Sequence, residues 1–246
     1  FNIPFNITWK QNLEKQLRVS NLKFKRINLN ILNSTKLINK NNRSKLQVYL
    51  NRSRYVIDYD LDDNQINFES NNSFIGNDKF IFSGKIYLDP FNFNVSSSLD
   101  SLKIKKLLLN SLLLKEILTK DFFLNENFNG NVNLIIKNLE NNPLFNNLNI
   151  NLNFKGQTLE FNNSVFLNEK IANLVIRSGI LFEEKNNLLF RGNVDFIIND
   201  INKLYNKFVV PKKNRKDLQK INFEVLINLT NNEFKILKIT NESFKD

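Results

Sequence analysis

The chain has 246 residues and a mass of 29.0 kDa, enough for one large β domain or two small ones, and its 41% hydrophobic content excludes a wholly disordered chain. It contains no Cys and no His, which removes disulfides, thiolate metal sites and the commonest acid–base and metal-ligand chemistry. Lys and Arg exceed Asp and Glu, 35 against 24, and the net charge of +11 suits anionic partners such as phospholipid headgroups or nucleic acid.

A second origin for that charge competes. Roughly a fifth of the residues are Asn, and Lys, Ile and Phe are also heavily used, as in chains encoded by very AT-rich genomes. The basic residues are spread along the chain. At this Asn content, triplets such as Asn6-Ile7-Thr8 and Asn51-Arg52-Ser53 arise by chance, and no glycosylation is assigned. There is no Met, so the chain is expected to be a piece or processed segment of a longer one, which leaves open a signal peptide or anchor ahead of it.

Phe1, Ile3, Phe5, Ile7 and Trp9 alternate with smaller or polar residues, a half-buried strand that Pro4 places at an edge or bend. Strands are expected at Leu17 to Phe24 and Ile27 to Ile31, with a change of phase around Lys25-Arg26. Asn39 to Ser44 reads as a loop. Leu46, Val48 and Leu50 form the next strand, then Tyr55, Ile57, Tyr59 and Leu61. Asp62-Asp63-Asn64 makes a turn before Ile66 and Phe68, and Ser70 to Ser73 reads as another polar turn.

The segment from Phe82 to Leu139 organises the chain. Phe80, Phe82, Gly84, Ile86 and Leu88 share one strand face, Asp89-Pro90 breaks the ladder, and Phe91, Phe93, Val95 and Ser97 open the next strand. From about Lys103 to Thr119 the alternation gives way to Leu without β-branched enrichment, which predicts a helix. Its polar pairs recur every five residues, so they rotate around the axis and leave no clean polar face. The charges also interrupt it too often for a membrane span. Strands resume through Phe128, Gly130, Val132, Leu134 and Ile136, then Leu148 to Gly156, Leu159 and Phe161, Ala172 to Ile180, and Phe190 to Ile198. Asn199 to Phe208 predicts a short helix with Ile201, Leu204, Tyr205 and Phe208 on one stripe, ended by Pro211. Two late strands start at Ile221 and Phe234.

These patterns give on the order of a dozen strands with one wet face each. The expected architecture is mainly β: a large curved antiparallel sheet forming an elongated groove or an open barrel or sandwich, with one Leu-rich and one short helix. It is read as a single domain over residues 1–246, with a candidate sub-boundary near 70–80.

Asp58, Asp60, Asp62 and Asp63 are the densest carboxylates, but they lack the Gly and terminal Glu of an EF-hand loop and read as a solvated strand end. Glu183-Glu184 reads as a hairpin turn. No nucleotide-binding loop or nucleophile elbow occurs, and without His there is no Ser-His-Asp relay, so no catalytic residue, cofactor or metal is assigned. The cluster Lys212, Lys213, Arg215 and Lys216 follows an apolar and aromatic turn, as at a membrane interface. The other reading is a solvated loop whose neighbours plug the end of a β core, since charged runs usually lie on the surface. Nucleic acid is not expected as a partner, because neither an aromatic RNP pattern nor a helix with a concentrated basic face is present.

One small device recurs: Phe82-Ser83-Gly84, Phe128-Asn129-Gly130, Phe154-Lys155-Gly156 and Phe190-Arg191-Gly192. Each Phe and its Gly share a face, and the Gly leaves a gap where the sheet can bend or something can approach. The 23 Phe residues suffice either to fill a dry sandwich core or to line an open apolar trough for acyl chains.

The run Phe82-Ser83-Gly84-Lys85-Ile86-Tyr87-Leu88-Asp89-Pro90-Phe91-Asn92-Phe93, the Leu-rich segment and Phe128-Asn129-Gly130 resemble AsmA-like proteins of Gram-negative bacteria. Phe208-Val209-Val210-Pro211-Lys212-Lys213-Asn214-Arg215-Lys216 looks like the close of such proteins in AT-rich marine alphaproteobacteria. The resemblance covers about Phe80 to Ile239. It implies a periplasmic β groove, anchored to the inner membrane by a helix not in this chain, that carries phospholipid between inner and outer membranes and supports outer-membrane assembly. No catalytic residues come with it. The groove candidates are Phe82, Ile86, Phe128, Val132, Phe154, Phe190, Val194 and Phe196, and the headgroup candidates are Lys212, Lys213, Arg215 and Lys216. Phospholipid acyl chains, the membrane surface and other envelope proteins are the expected partners. Two other readings stay open: an envelope assembly module with a filled core that binds protein through a sheet edge, and a hydrolase using two carboxylates.

Overall fold

The computed structural model describes residues 4–14, 16–36, 43–103, 126–156, 158–185 and 187–242. The chain is mainly β and divides into two compact units, Phe1–Asp100 and Ser101–Asp246. The first holds β1 (Asn6–Asn12), β2 (Leu17–Phe24), β3 (Leu29–Lys36), β4 (Arg43–Leu50), β5 (Ser53–Leu61), β6 (Gln65–Ile75), β7 (Asp78–Leu88) and β8 (Phe91–Leu99). Each pairs antiparallel with the next, so the unit is a meander in chain order. Residues 70–80 lie within the paired β6 and β7, whereas the division between units follows Asp100.

The second unit holds β9 (Leu102–Lys103), β10 (Gly130–Ile136), β11 (Leu139–Glu140), β12 (Asn147–Lys155), β13 (Thr158–Leu167), β14 (Ala172–Glu184), β15 (Asn187–Ile198), β16 (Lys220–Asn228) and β17 (Glu233–Glu242). β10 and β12 to β17 form a second antiparallel meander, and β9 pairs parallel with β11. One short helix, α1 (Ile201–Lys207), follows β15, and a 3-10 turn spans Lys212–Asn214. Neither meander closes into a barrel: among the described residues β1 pairs only with β2 and β17 only with β16. Lys103 belongs to β9, and the rest of the expected Leu-rich helix lies outside the described residues, as does most of the expected loop at 39–44. No helix among the described residues is long and apolar enough to cross a membrane.

Turn chemistry explains how so few glycines suffice. Among the described residues, five of the eight non-Gly positions with positive φ are Asn, at 28, 51, 141, 163 and 232. Asn tolerates the left-handed region because its short amide bonds locally. Four of these asparagines therefore sit at turns where Gly is more usual, and Asn163 takes the same conformation at a break in the β13–β14 register.

Two expectations need correction. Ser70 to Ser73 is not a turn. It lies inside the eleven-residue β6, at a bulge in the pairing with β7. Ser70 and Ser73 are 1% and 0% exposed, their hydroxyls are 2.6 Å apart, and Ser73 Oγ accepts the Val56 N–H at 2.8 Å. A bulge removes ladder partners; here hydroxyls replace them, so serines that look like turn residues are interior. Ser164 repeats the device at the β12–β13 irregularity, accepting the Asn151 N–H at 2.9 Å. The first strand, expected half-buried, is exposed at every residue, with Trp9 62% exposed. It is an edge strand, paired among the described residues only with β2, and Phe5, just ahead of it, meets the Phe24 ring at 5.7 Å.

Candidate functional site

Cross-strand partners share a face, so the registers sort each unit into two surfaces. In the first unit, Ile86 stands opposite Ile66 and Phe93, Gly84 opposite Phe68 and Val95, and Phe82 opposite Ser70 and Ser97. The same face takes Leu46 and Val48 of β4, Ile57 and Tyr59 of β5, Ile31 of β3 and Leu22 of β2. The reverse face carries Lys45, Asp58, Asp60, Asn67, Glu69, Ser83, Lys85 and Asn94 in the complementary register. One side is thus apolar strand after strand, and the other is largely polar and charged.

The second unit repeats the division. Val132 faces Leu152, Phe154 faces Gly130 and Leu159, Val194 faces Ile176 and Phe223, and Phe196 faces Leu174 and Ile221. Seven of the eight groove candidates lie on these apolar faces by register, Phe82 and Ile86 in the first unit and Val132, Phe154, Phe190, Val194 and Phe196 in the second, while Phe128 precedes β10 and touches that face through the Phe154 ring. Phe154 and Val194 are buried, and the rest are half-buried. Phe128 meets Phe154 edge-on at 5.4 Å, while Phe80 and Phe82 lie 5.0 Å apart.

The gaps expected at Gly84 and Gly192 are occupied. A Cβ on Gly84 would sit 2.7 Å from the Phe68 ring and closer still to the Asn94 carbonyl oxygen. On Gly192 it would sit 2.8 Å from the Phe190 ring, and on Gly179, the cross-strand partner of Gly192, 2.7 Å from that ring. A Phe ring therefore lies over each bare stretch of backbone, the pairing known as aromatic rescue. Phe68, Gly179 and Phe161, whose ring meets Phe190 edge-on at 5.5 Å, went unread in the sequence because their partners lie on neighbouring strands. Gly156 serves the backbone instead, turning β12 into β13 at φ +55.

Burial separates the two units. Among the described apolar residues of the first, only Val56, Phe93 and Leu99 are buried, against thirteen in the second. Part of the second unit's burial comes from α1. Leu204 packs with Ala172 and Ile198, joined by Phe196, Ile171, Ile201, Leu144 and Leu218, so the helix covers one stretch of the apolar face. Asp200 caps α1 by accepting the Lys203 N–H at 2.9 Å and also pairs with the Lys203 ammonium at 2.9 Å. Those side-chain and backbone bonds hold the Asp200 carboxyl below its ordinary pKa.

The polar faces are held by ion pairs and amide ladders. Asp195, almost wholly buried, pairs with Arg177, accepts from the Asn222 amide and lies 3.5 Å from Lys220 Nζ. A shallow concavity of about 590 Å³ on the first unit is lined by Asp58, Asp60, Asn67, Glu69, Ser83 and Lys85, among others. Asp58 pairs with Lys45 at 3.2 Å, Asp60 accepts from Asn67 at 3.0 Å and Asp62 accepts the Asp63 N–H at 2.9 Å. Among the described residues no three acidic side chains converge as a metal site.

The basic turn is tightly built. Arg215 donates to the Val210 carbonyl at 3.1 Å and to Asn206 Oδ1 at 3.0 Å, and its guanidinium lies 5.6 Å from the centre of the Tyr205 ring. Tyr205 accepts the Lys216 N–H at 2.8 Å and donates to the Lys216 carbonyl. Arg215 thus faces its own loop, while Lys212, Lys213 and Lys216 are exposed. Phe208, expected on the apolar stripe of α1, stands beyond the last helical turn and is 60% exposed.

No family model matches the chain, and comparisons with curated proteins and with solved structures give no match.

Proposed function

We propose that this is an AsmA-like, periplasmic β protein whose apolar sheet face holds phospholipid acyl chains and conducts phospholipid between inner and outer membranes, in support of outer-membrane assembly. A segment outside this chain anchors it to the inner membrane. The observation that carries the reading is the first unit's apolar face, continuous across eight strands yet mostly half-exposed. Large exposed apolar patches on proteins mark sites of interaction with other apolar matter. An acyl chain fits such a row: each methylene taken from water contributes about 0.8 kcal/mol. Ten methylenes against the Phe and Ile rows give about 8 kcal/mol before ordering costs, on the order of a micromolar dissociation constant.

The test is native mass spectrometry of the purified chain, with extraction and identification of bound lipid. Ile86→Asp or Val95→Asp puts a charge on the apolar face, and Ser96→Asp puts one on the polar face of the same β8. Loss of lipid in the first two with retention in the third is expected. A lipid-free wild type, or equal lipid in all three, sinks the proposal.

One observation favours a second reading, an assembly module that binds other envelope proteins. Among the described residues β17 has a neighbour on one side only, and its Phe234, Ile236, Leu237 and Ile239 are exposed, which suits addition of a partner strand.

A further inference from the structure

The turn after α1 holds an apolar residue in a conformation such residues avoid. Val209 has φ +54, and it is 84% exposed beside Phe208. A β-branched residue there is a genuine outlier, since its Cβ crowds the following carbonyl. The hydrogen bonds explain how it persists: Val210 N–H reaches the Tyr205 carbonyl at 2.9 Å and Val209 N–H reaches the Asn206 carbonyl at 3.3 Å. This is a Schellman termination, in which the position of Val209 normally belongs to Gly. The clasp by Tyr205 and Arg215 then fixes the loop behind it.

Strain held in place by surrounding structure points to a use for the residue so held. The burial of α1 does not require this valine. Leu204 docks the helix, and Phe208 and Val209 stand outside that contact, in solvent. Lys207 immediately precedes them in the chain, and Lys212, Lys213 and Lys216 follow in the clasped turn, all exposed and in no ion pair among the described residues, whereas Lys203 is paired with Asp200. Two exposed apolar side chains in a turn that also carries four exposed lysines match the composition of an anionic bilayer contact, acyl boundary below and phosphate above.

We propose that this tip is a membrane-docking wedge: Phe208 and Val209 enter the interface of an anionic phospholipid bilayer while Lys207, Lys212, Lys213 and Lys216 contact headgroup phosphates. The tip shares no residue with the proposed acyl-chain face, so docking and lipid carriage are tested by different variants.

The test is co-sedimentation of the full chain with vesicles of phosphatidylcholine alone or mixed with phosphatidylglycerol, at low and high salt. Binding to the anionic vesicles that weakens with salt is expected. At about 1 kcal/mol per lysine, Lys212→Gln with Lys213→Gln lowers the partition coefficient by roughly 25-fold. Phe208→Ser lowers it on the order of tenfold. Val209→Gly relieves the backbone strain and so preserves the loop, and it too lowers binding. Ser96→Asn, on the polar face of the first unit, leaves vesicle binding unchanged. Absence of binding to anionic vesicles overturns the wedge. So does sensitivity to the lysine changes alone with Phe208→Ser and Val209→Gly neutral, which assigns the attraction to bulk charge.

Discussion

Ser73→Ala tests whether the bulge in β6 is held by hydroxyl chemistry. Ser73 is fully buried, its Oγ accepts the N–H of Val56, itself 5% exposed, at 2.8 Å, and it also bonds to Ser70 Oγ at 2.6 Å. Removing the hydroxyl orphans a buried amide, at about 1–3 kcal/mol, and strips Ser70 of its partner, at about 1 kcal/mol more. The expected loss is therefore about 2–4 kcal/mol. Ser70→Ala removes the Ser–Ser bond but leaves the Val56 amide satisfied, so about 1 kcal/mol is expected. Urea unfolding of both variants measures the difference. Native-state amide exchange at Val56 localises it, with protection falling about 30-fold or more in Ser73→Ala. Equal losses in the two variants, or a Val56 amide as protected as before, would refute the reasoning.

Three further outcomes are expected. Gly84→Ala destabilises by about 2–3 kcal/mol, because its Cβ meets the Asn94 backbone, which cannot step aside. Gly192→Ala loses less, since its nearest obstacle is the movable end of the Phe190 ring; thermal melts that rank the two the other way contradict this. The Asp200 carboxyl is held below its ordinary pKa, so its capping contribution is fully present above the ordinary carboxylate range and is lost only as pH falls through the lowered value. The Lys203 amide resonance, followed by NMR, should titrate below the ordinary value of 3.8, and a midpoint at or above it counts against the cap. Val209→Gly stabilises the α1 turn by about 1 kcal/mol, in equilibrium unfolding, even as it weakens vesicle binding.

Much of the architecture was legible because alternation is a local signal. Leu17 to Phe24 appears as β2 with the expected ends, and the change of phase at Lys25-Arg26 is a 3-10 turn. A period of two alone puts Phe82, Ile86, Val132 and Val194 on apolar faces, and the registers agree. What failed depends on residues distant in sequence. Ser70 to Ser73 has turn composition, and only the Val56 amide, seventeen residues upstream of Ser73, makes those hydroxyls interior. The Phe-x-Gly spacing correctly puts ring and glycine on one face, yet the ring over Gly84 comes from Phe68, and the ring of Phe190 covers a second glycine on β14. Phe208 fits the helical stripe by spacing, but the chain leaves the helix one residue earlier through a left-handed valine that no periodicity announces.

The unequal burial of the two units leads to a consequence for stability. A sheet face of Phe, Ile and Leu that remains half in water contributes only part of its hydrophobic free energy to folding. The first unit, with three buried apolar side chains among its described residues, withholds more of that term than the second, where α1 and a larger set of inward residues complete a core. A ligand that covers the open face supplies the missing burial and stabilises the unit through mass action, by about 2.7 kcal/mol at a hundred times its dissociation constant. Trp9, the only Trp in the chain, lies on β1 of the first unit and reports on that unit by its fluorescence. Stripping bound lipid should lower the denaturant midpoint followed by Trp9, and restoring phospholipid should raise it, more than either changes the amide-exchange protection of β14 and β15. A Trp9 midpoint indifferent to lipid means the exposed rows contribute nothing to holding an acyl chain, and the edge-strand reading then takes precedence.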